Sequence, residues 1–430
     1  MPTSTPPTAT PAAAEADALL ELRARGFVQQ VSDEVALAAR MGAGPVCFYA
    51  GFDPTAASLH VGSLVPLMAM AHLARAGHRA IAVLGGGTAM VGDPSGKTEM
   101  RQLITQETIQ ANRRGIEPQI RGIIEQQLGP GAAVKPLVVD NADWLLPLNY
   151  IGFLRDIGRH FSVNRMLGAE AYKMRLEKGL SFIEFNYQLL QAYDFLVLNE
   201  RHDCALQIGG DDQWGNIVAG IDLIRRVRQK ESFGLTFPLL TTASGAKMGK
   251  TAAGAVWLDA GLTSPFDFFQ YFVNVDDRDV IRFLKLLTFL PLDEIARYAQ
   301  LQGAELRDAK RALARGVTAV VHGEAAAGAA DRAAGAAFGG NSAQDASVPT
   351  YEVPDSETPI KIVDLLAAAG LASSKSAARR LVEQGGVRLG DRKITSIDEV
   401  LAREQVGGGT LLHAGKKNLR RIVLANRGSS

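Results

Sequence analysis

Cysteine is nearly absent from this 430-residue sequence: two stand far apart, Cys47 and Cys204, and fit no Cys-x-x-Cys or Cys/His spacing. That argues against a disulfide framework or a structural zinc, and leaves both thiols as small buried hydrophobes. Long apolar runs are also missing, none approaching the roughly 20 residues a membrane-spanning helix needs. Residues 1–14 are rich in Pro, Thr and Ala and lack both the basic segment and the apolar core of a secretory leader. An unstructured lead, no membrane association and a cytoplasmic location are expected. No cluster of carboxylates marks a dedicated metal site.

What is present is a soluble composition, 47% apolar and 21% charged, in a chain longer than one ordinary core, so two or three domains are expected. The net charge of +1 conceals an asymmetry. From Pro359 to Ser430 there are 13 Lys and Arg against 6 Asp and Glu, a net +7, leaving −6 for the remainder. A basic end on an acidic body points to a nucleic-acid-binding appendage.

The chain is organised around a strand, loop and helix start. Val46 to Tyr49 feed a loop containing Gly51, Asp53 and Thr55, which opens a helix with Leu64, Leu67, Met68 and Ala71 at helical spacing. Pro66 falls in the first turn, where amides have no intrahelical partner, and His60 with Gly62 places an imidazole and bare backbone beside a seat for phosphate. Arg79–Leu84 reads as a second buried strand ending in Gly85, Gly86, Gly87 and Thr88. Strand, helix and strand in this order predict a parallel sheet with ligand at the carboxyl ends of its strands. The segment GDPSGKT imitates a phosphate-binding P-loop, but five residues before Gly96 stands Val91, where that motif requires Gly. Lys97 and Arg101 remain available to a polyphosphate.

Pro136–Asp140 is a third predicted strand, and a helix is predicted over Ser181–Leu198. There Tyr187, Gln191 and Asp194 share one face, which favours a pocket, since burying Gln and Asp without partners is costly. Ala205–Ile208 is a further strand, followed by GGDDQWGN, whose glycines allow close approach of a ligand. Asp212 and Gln213 offer acceptors for a ribose, or Asp212 caps the next helix. A last strand is expected at Phe237–Leu240, then a flexible loop with Lys247 and Lys250. The expected architecture is α/β. A Rossmann-like catalytic domain spans 15–240 with a helical insertion at about 141–171. A mobile loop at 241–258, an α-helical domain at 259–335, a linker at 336–358 and a small α+β domain at 359–426 follow. In that last domain Ser374 caps a helix bearing Lys375, Arg379 and Arg380, and a hairpin turns at Gly390-Asp391 with Arg388, Arg392 and Lys393 beside it. A basic helix next to a basic hairpin reads as a grip on the phosphates of structured RNA.

Together these motifs resemble the bacterial tyrosyl-tRNA synthetases, class I aminoacyl-tRNA synthetases, over residues 33–424. His60 to Ser63 corresponds to the HIGH signature and Lys247 to Thr251 to the KMSKS signature, with YAGFDPTAASLH, GDPSGK, YQLLQAYDF and QIGGDDQWGN between them in family order. The resemblance implies that Tyr49 and Asp194 hold a tyrosine phenol, while Tyr187, Gln191 and Asp93 hold its ammonium. It also implies that Gly51, Gln207, Gly210, Asp212 and Gln213 line the ribose and aminoacyl side. Asp53, Thr55, His60, Gly62 and Ser63 would lie toward ATP, and Lys97, Arg101, Lys247 and Lys250 would close over the pyrophosphate. Three positions depart from the signatures: Ser63, Gly249 and Thr251. The implied activity is tyrosine–tRNA ligation, with Mg2+ carried by ATP, no prosthetic group, tRNA(Tyr) as partner, and a homodimer meeting around Asn141 to Ala171. A tryptophanyl enzyme and a non-catalytic RNA-binding relative are the rival readings.

Overall fold

Strands and helices alternate from residue 47 onward, as the sequence pattern requires. The computed structural model describes residues 11–95, 104–129, 135–168, 170–177, 179–243, 245, 248–251, 254–339, 348–406, 408–415 and 418–425. The chain divides into two units, Met1–Met248 with Lys285–Thr288, and Gly249–Leu284 with Phe289–Ser430.

In the first unit, α1 (Pro11–Arg25) and α2 (Glu34–Gly42) flank the short β1 (Gln30–Val31). Next come β2 (Cys47–Phe52), α3 (Leu64–Arg75), β3 (Arg79–Leu84), α4 (Gln106–Leu128) and β4 (Leu137–Asp140). Four short helices, α5 (Ala142–Leu145), α6 (Tyr150–Asp156), α7 (Val163–Leu167) and α8 (Glu170–Leu176), lead to α9 (Phe182–His202), β5 (Cys204–Gly210), α10 (Trp214–Arg228) and β6 (Phe233–Phe237). The sheet order is β1-β6-β5-β2-β3-β4, parallel throughout except for β1 against β6. The chain builds outward from β2 to β4, then returns to lay β5 and β6 on the other side of β2. At such a reversal the connections leave β2 and β5 in opposite directions, and a crevice opens beyond their carboxyl ends.

Local chemistry explains the elements that frame this crevice. Strand β3 is an unbroken apolar run because helices cover both faces, and Ala80 to Leu84 are all buried. Pro66 sits in the first turn of α3, as predicted, and every residue from Leu67 to Leu73 is buried. Helix α9 starts with a reciprocal capping box between Ser181 and Glu184, and ends where Asp203 turns left-handed. The Glu184 carboxylate also receives Arg175 at 3.0 Å, both side chains being buried. Gly220 of α10 lets the helices approach, since a Cβ there would lie 2.9 Å from the Phe195 ring.

In the second unit, Pro265–Val273, Leu306–His322 and Glu324–Gly339 form a helical layer around Phe268, Phe272 and Leu313. Beyond it, a five-stranded sheet orders Arg392–Ile394, Val387–Leu389, Thr410–Ala414, Asn418–Leu424 and Thr350–Val353. Helices Ile362–Ala368 and Lys375–Glu383 cover it, burying Leu365, Leu366, Val382, Val387, Leu412 and Ile422. Ser374 caps the second of these helices through the Ala377 amide, as expected. Arg420 forks onto both oxygens of Asp267 at 2.7 and 2.9 Å, joining the sheet to the helical layer.

Three expectations are corrected. The last strand of the first sheet is Phe233–Phe237 and not Phe237–Leu240, because Pro238 has no N–H to continue the ladder. The segment 336–358 is not all linker: Thr350–Val353 pairs in parallel with the final strand and buries Val353, and a helix runs on to Gly339. Of the lead expected to lack structure, residues 1–10 lie outside the described residues, and Pro11–Ala14 open α1, where proline suits a first turn.

Candidate active site

Each side chain of the crevice is delivered by a strand end or by α9. Strand β2 brings Tyr49, Gly51 and Asp53; the turn after β3 brings Thr88; β4 ends beside Asn141; β5 brings Gln207, Gly210 and Asp212. Helix α9 adds Tyr187, Gln191 and Asp194, and the start of α3 adds His60, Gly62 and Ser63. All of these, with Thr55, Asp93 and Gln213, line one cleft of about 350 Å³. The structure thus gathers fifteen of the residues singled out from sequence, from Tyr49 to Gln213, into one cavity.

At its floor, Asp194 is 4% exposed and both its oxygens are engaged. Trp144 Nε1 donates to Oδ1 at 2.7 Å and Asn141 Nδ2 donates to Oδ2 at 3.0 Å. Burial raises its pKa to about 7, against the pull of those two donors, which favour the ionised form. The Tyr49 hydroxyl is buried with no hydrogen-bond partner. Its phenol is held far above its usual range by burial first and by the charge of Asp194 second, so it stays a donor. Gln207, directly across the ladder from Tyr49, likewise has a buried Oε1 without a partner. Unsatisfied polar groups in a dry pocket cost about 1–3 kcal/mol each, a cost a polar ligand relieves.

Midway up, acidic and amide groups are wired together. Tyr187 donates to Asp53 Oδ2 at 3.2 Å. Gln213 Nε2 donates to Asp93 Oδ2 at 2.8 Å, and Asn216 Nδ2 donates to both Gln191 Oε1 and Gln213 Oε1 at 3.1 Å. The Tyr187 phenol is pushed up by burial and then by the charges of Asp53, Asp93 and Asp194. Three carboxylates acting on one hydroxyl make this stretch of the cleft suited to a cation such as an ammonium.

Toward the mouth, His60 precedes α3 and its Nδ1 accepts the Gly62 amide at 3.0 Å, which places the ring proton on Nε2. Gly62 leaves room for this bond, since a Cβ there would lie 2.7 Å from the imidazole. The same position lies 3.9 Å from the Met248 carbonyl, so Met248 stands beside the His60 turn. Ser63 makes no cap with its hydroxyl at the head of α3. Gln213, not Asp212, occupies the N-cap position of α10, and Asp212 lines the cleft. Gly210 leaves space for Asp212, whose Oδ1 would lie 2.7 Å from a Cβ. Lys97, Arg101 and Lys247 lie outside the described residues, and Lys250 is placed by its backbone alone, in a two-residue ladder with Ala255.

The basic residues of the tail stand on the surface of the second unit. Lys375 pairs with Asp364 at 2.7 Å, Arg388 lies 3.5 Å from Asp391, and Arg392 bonds Glu399. Arg379, Arg380 and Lys393 are exposed. Sequence reasoning missed Thr88, Asn141, Trp144 and Asn216 as members of the site. The signal that could have found the first two is the glycine run, for a Cβ at Gly87 would lie 3.3 Å from Asn141 Oδ1 and one at Gly85 2.5 Å from Thr88 Oγ1.

Comparison with known proteins fits this geometry. Residues 41–339 match the family described as tRNA synthetases class I (W and Y), and residues 342–422 match the tyrosine–tRNA ligase SYY-like C-terminal domain. A tyrosine–tRNA ligase of Desulfosudis oleivorans is 53% identical, over 94% of this chain and 98% of that protein. One of Clostridium botulinum (strain 657 / Type Ba4) is 51% identical over the same shares. Among solved structures, a C-terminally truncated Aspergillus nidulans mitochondrial tyrosyl-tRNA synthetase superposes with TM-score 0.67 at 31% identity, covering 75% of this chain and 96% of that one. A tryptophanyl-tRNA synthetase from Encephalitozoon cuniculi shares the fold, with TM-score 0.53 at 14% identity, covering 74% of this chain and 91% of that one.

Proposed function

The chain belongs to the tyrosine–tRNA ligases of the class I tRNA synthetase family, and from that premise we propose how its cleft carries out the reaction. Tyrosine and ATP give tyrosyl-adenylate and pyrophosphate; a ribose hydroxyl at the 3′ end of tRNA(Tyr) then takes the tyrosyl group and AMP leaves. The observation that carries the assignment of roles is the buried, partnerless Tyr49 hydroxyl beside Asp194. A phenol oxygen accepts from Tyr49 while its proton goes to Asp194, so both groups are used. An indole N–H donates only and leaves the Tyr49 proton without an acceptor.

The tyrosine ammonium then sits among Tyr187, Gln191 and Asp93. The attacking carboxylate is already ionised, so no general base is required; the protein aligns it with the α-phosphorus and stabilises charge growing on pyrophosphate. His60 Nε2–H and the amides at the head of α3 supply donors, with Ser63 and Thr55 beside them. Lys97, Arg101, Lys247 and Lys250 complete the clamp in this reading, and Gly51, Gly210, Asp212 and Gln213 receive the ribose and aminoacyl portion. Magnesium enters on the ATP phosphates; among the described residues, no group of three His, Cys, Asp or Glu could hold a metal ion of its own. Lys375, Arg379, Arg380, Arg388, Arg392 and Lys393 hold tRNA phosphates.

Two further features complete the reading. Tyr150, Ile151 and Val163, in the segment Asn141 to Ala171, and Phe182 after it are large apolar side chains 56% to 70% exposed on the first unit, and a second copy of the chain covers them in a homodimer. Among the described residues no helix is long and apolar enough to cross a membrane; in the proposed reading the ligase works in the cytoplasm because its tRNA substrate is there. Amino-acid-dependent ATP–pyrophosphate exchange with each of the twenty amino acids tests the assignment: tyrosine alone supports it, and exchange driven by tryptophan, or by none, rejects it.

A further inference from the structure

Three successive glycines after β3 allow an unusual convergence. A Cβ at Gly85 would fall 1.9 Å from Asp53 Oδ1 and 2.5 Å from Thr88 Oγ1, and one at Gly86 would fall 2.2 Å from Asp140 Oδ1. The run therefore makes space for carboxylates at the ends of β2 and β4, the strands on either side of β3, and Thr88 follows it. Its hydroxyl donates to Asp53 Oδ1 at 2.8 Å and accepts from Asn141 Nδ2 at 3.0 Å. Asn141 is oriented by its own carbonyl, which accepts the Gly87 amide at 2.8 Å. Its second amide hydrogen goes to Asp194 Oδ2 at 3.0 Å. Thr88 is 3% exposed and Asn141 1% exposed, so water does not compete for these bonds.

Counting protons fixes the direction of every bond. Both hydrogens of the Asn141 amide are committed, one to Asp194 and one to Thr88, so the single Thr88 proton points to Asp53, which also receives the Tyr187 hydroxyl. The result is a continuous run from Asp194, through Asn141 and Thr88, to Asp53 and Tyr187. We propose that Thr88 is a positioning residue for the ligase reaction, its hydroxyl tying the carboxylate that meets the phenol end of tyrosine, by way of Asp53, to the Tyr187 hydroxyl that meets the ammonium end. The inference rests on the assignment of those two ends made above. A chain of oriented bonds lying alongside the substrate holds its two recognition points at one separation, so a ligand that grips one end finds the other in place. Replacing the hydroxyl by a methyl leaves an Asn141 hydrogen without its acceptor and removes one donor from Asp53. Both ends then loosen together.

The test compares Thr88→Val, which keeps the shape, with Thr88→Ser, which keeps the hydroxyl, in steady-state ATP–pyrophosphate exchange with active sites titrated. Thr88→Val is expected to raise KM for tyrosine at least tenfold, to leave KM for ATP within twofold and to narrow the preference for tyrosine over phenylalanine. Thr88→Ser is expected to return all three to within about twofold of the wild type. Should Thr88→Val not fold, Thr88→Cys, whose thiol is a weak donor and acceptor, is read in the same way. A loss confined to the titrated fraction of active enzyme, with KM for tyrosine unchanged, means a purely structural residue and overturns the inference. So does a serine variant as impaired as valine. A wild type without tyrosine-dependent exchange overturns the parent assignment and this inference with it, whereas an active wild type with indistinguishable valine and serine variants overturns this inference alone.

Discussion

Trp144 and Asp194, fifty residues apart in the chain, meet at the floor of the cleft, where the indole N–H donates to the carboxylate at 2.7 Å. Asp194 is pushed up to about 7 by burial, with the Asn141 and Trp144 donors holding it down. On the assignment proposed above, the phenol of tyrosine donates to the ionised carboxylate, so kcat/KM for tyrosine should rise as pH climbs through about 7. Trp144→Phe removes a donor that favours ionisation, and the rising limb should move to higher pH by about one to two units. That corresponds to a charge-assisted hydrogen bond worth about 1.5–3 kcal/mol. A pH profile of exchange for the two proteins measures it, and a limb at the same pH contradicts it.

Tyr49→Phe should separate stability from selection. The buried hydroxyl has no partner in the unliganded protein, so removing it should raise the melting temperature, the gain being about 1 kcal/mol. The same change should cost tyrosine about three- to tenfold in kcat/KM, the worth of one neutral hydrogen bond, and leave phenylalanine unaffected. Calorimetry and exchange kinetics on one preparation check both halves.

The basic tail should contribute to RNA affinity and not to adenylate formation. Replacing Arg379, Arg380 and Lys393 together by Gln should leave ATP–pyrophosphate exchange unchanged while weakening tRNA charging. It should also flatten the slope of log affinity against log salt for tRNA binding by about one for each phosphate that the variant no longer neutralises. Charging that persists at wild-type rates would place the RNA grip elsewhere.

The exposed apolar stretch yields a prediction on assembly. Ile151→Asp with Phe182→Asp should convert a dimer to a monomer in sedimentation velocity, since both side chains are at least 69% exposed on the single chain and a charge at each opposes burial against a second copy. A wild type that sediments as a monomer refutes it.

Much of this arrangement is legible in the sequence, for a specific reason. Tyr187, Gln191 and Asp194 share a helix face, which local periodicity announces, and His60 and Gly62 head a helix, a weak signal alone that the order of the other motifs strengthens. Thr88, Asn141 and Trp144 are different: each owes its place to a partner that lies 35 to 53 residues away, as Thr88 to Asp53 and Asn141 to Asp194 show. No local pattern encodes such a bond. The last strand of the first sheet escapes a reading by pattern because FGLTFPLL is mostly apolar from end to end, and the missing amide of Pro238 decides which part pairs. Thr350–Val353 hides in a polar stretch because its partner, Asn418–Leu424, arrives only at the end of the chain.

The most direct test of the central claim is Asp194→Ala, measured by tyrosine-dependent ATP–pyrophosphate exchange together with ATP binding by calorimetry. Loss of exchange, with ATP affinity held within about twofold, is the expected result, because the substitution removes the phenol acceptor and strands the Asn141 and Trp144 donors without touching the mouth of the cleft. Equal and mild losses in both measurements would contradict a cleft that holds a phenol at its floor.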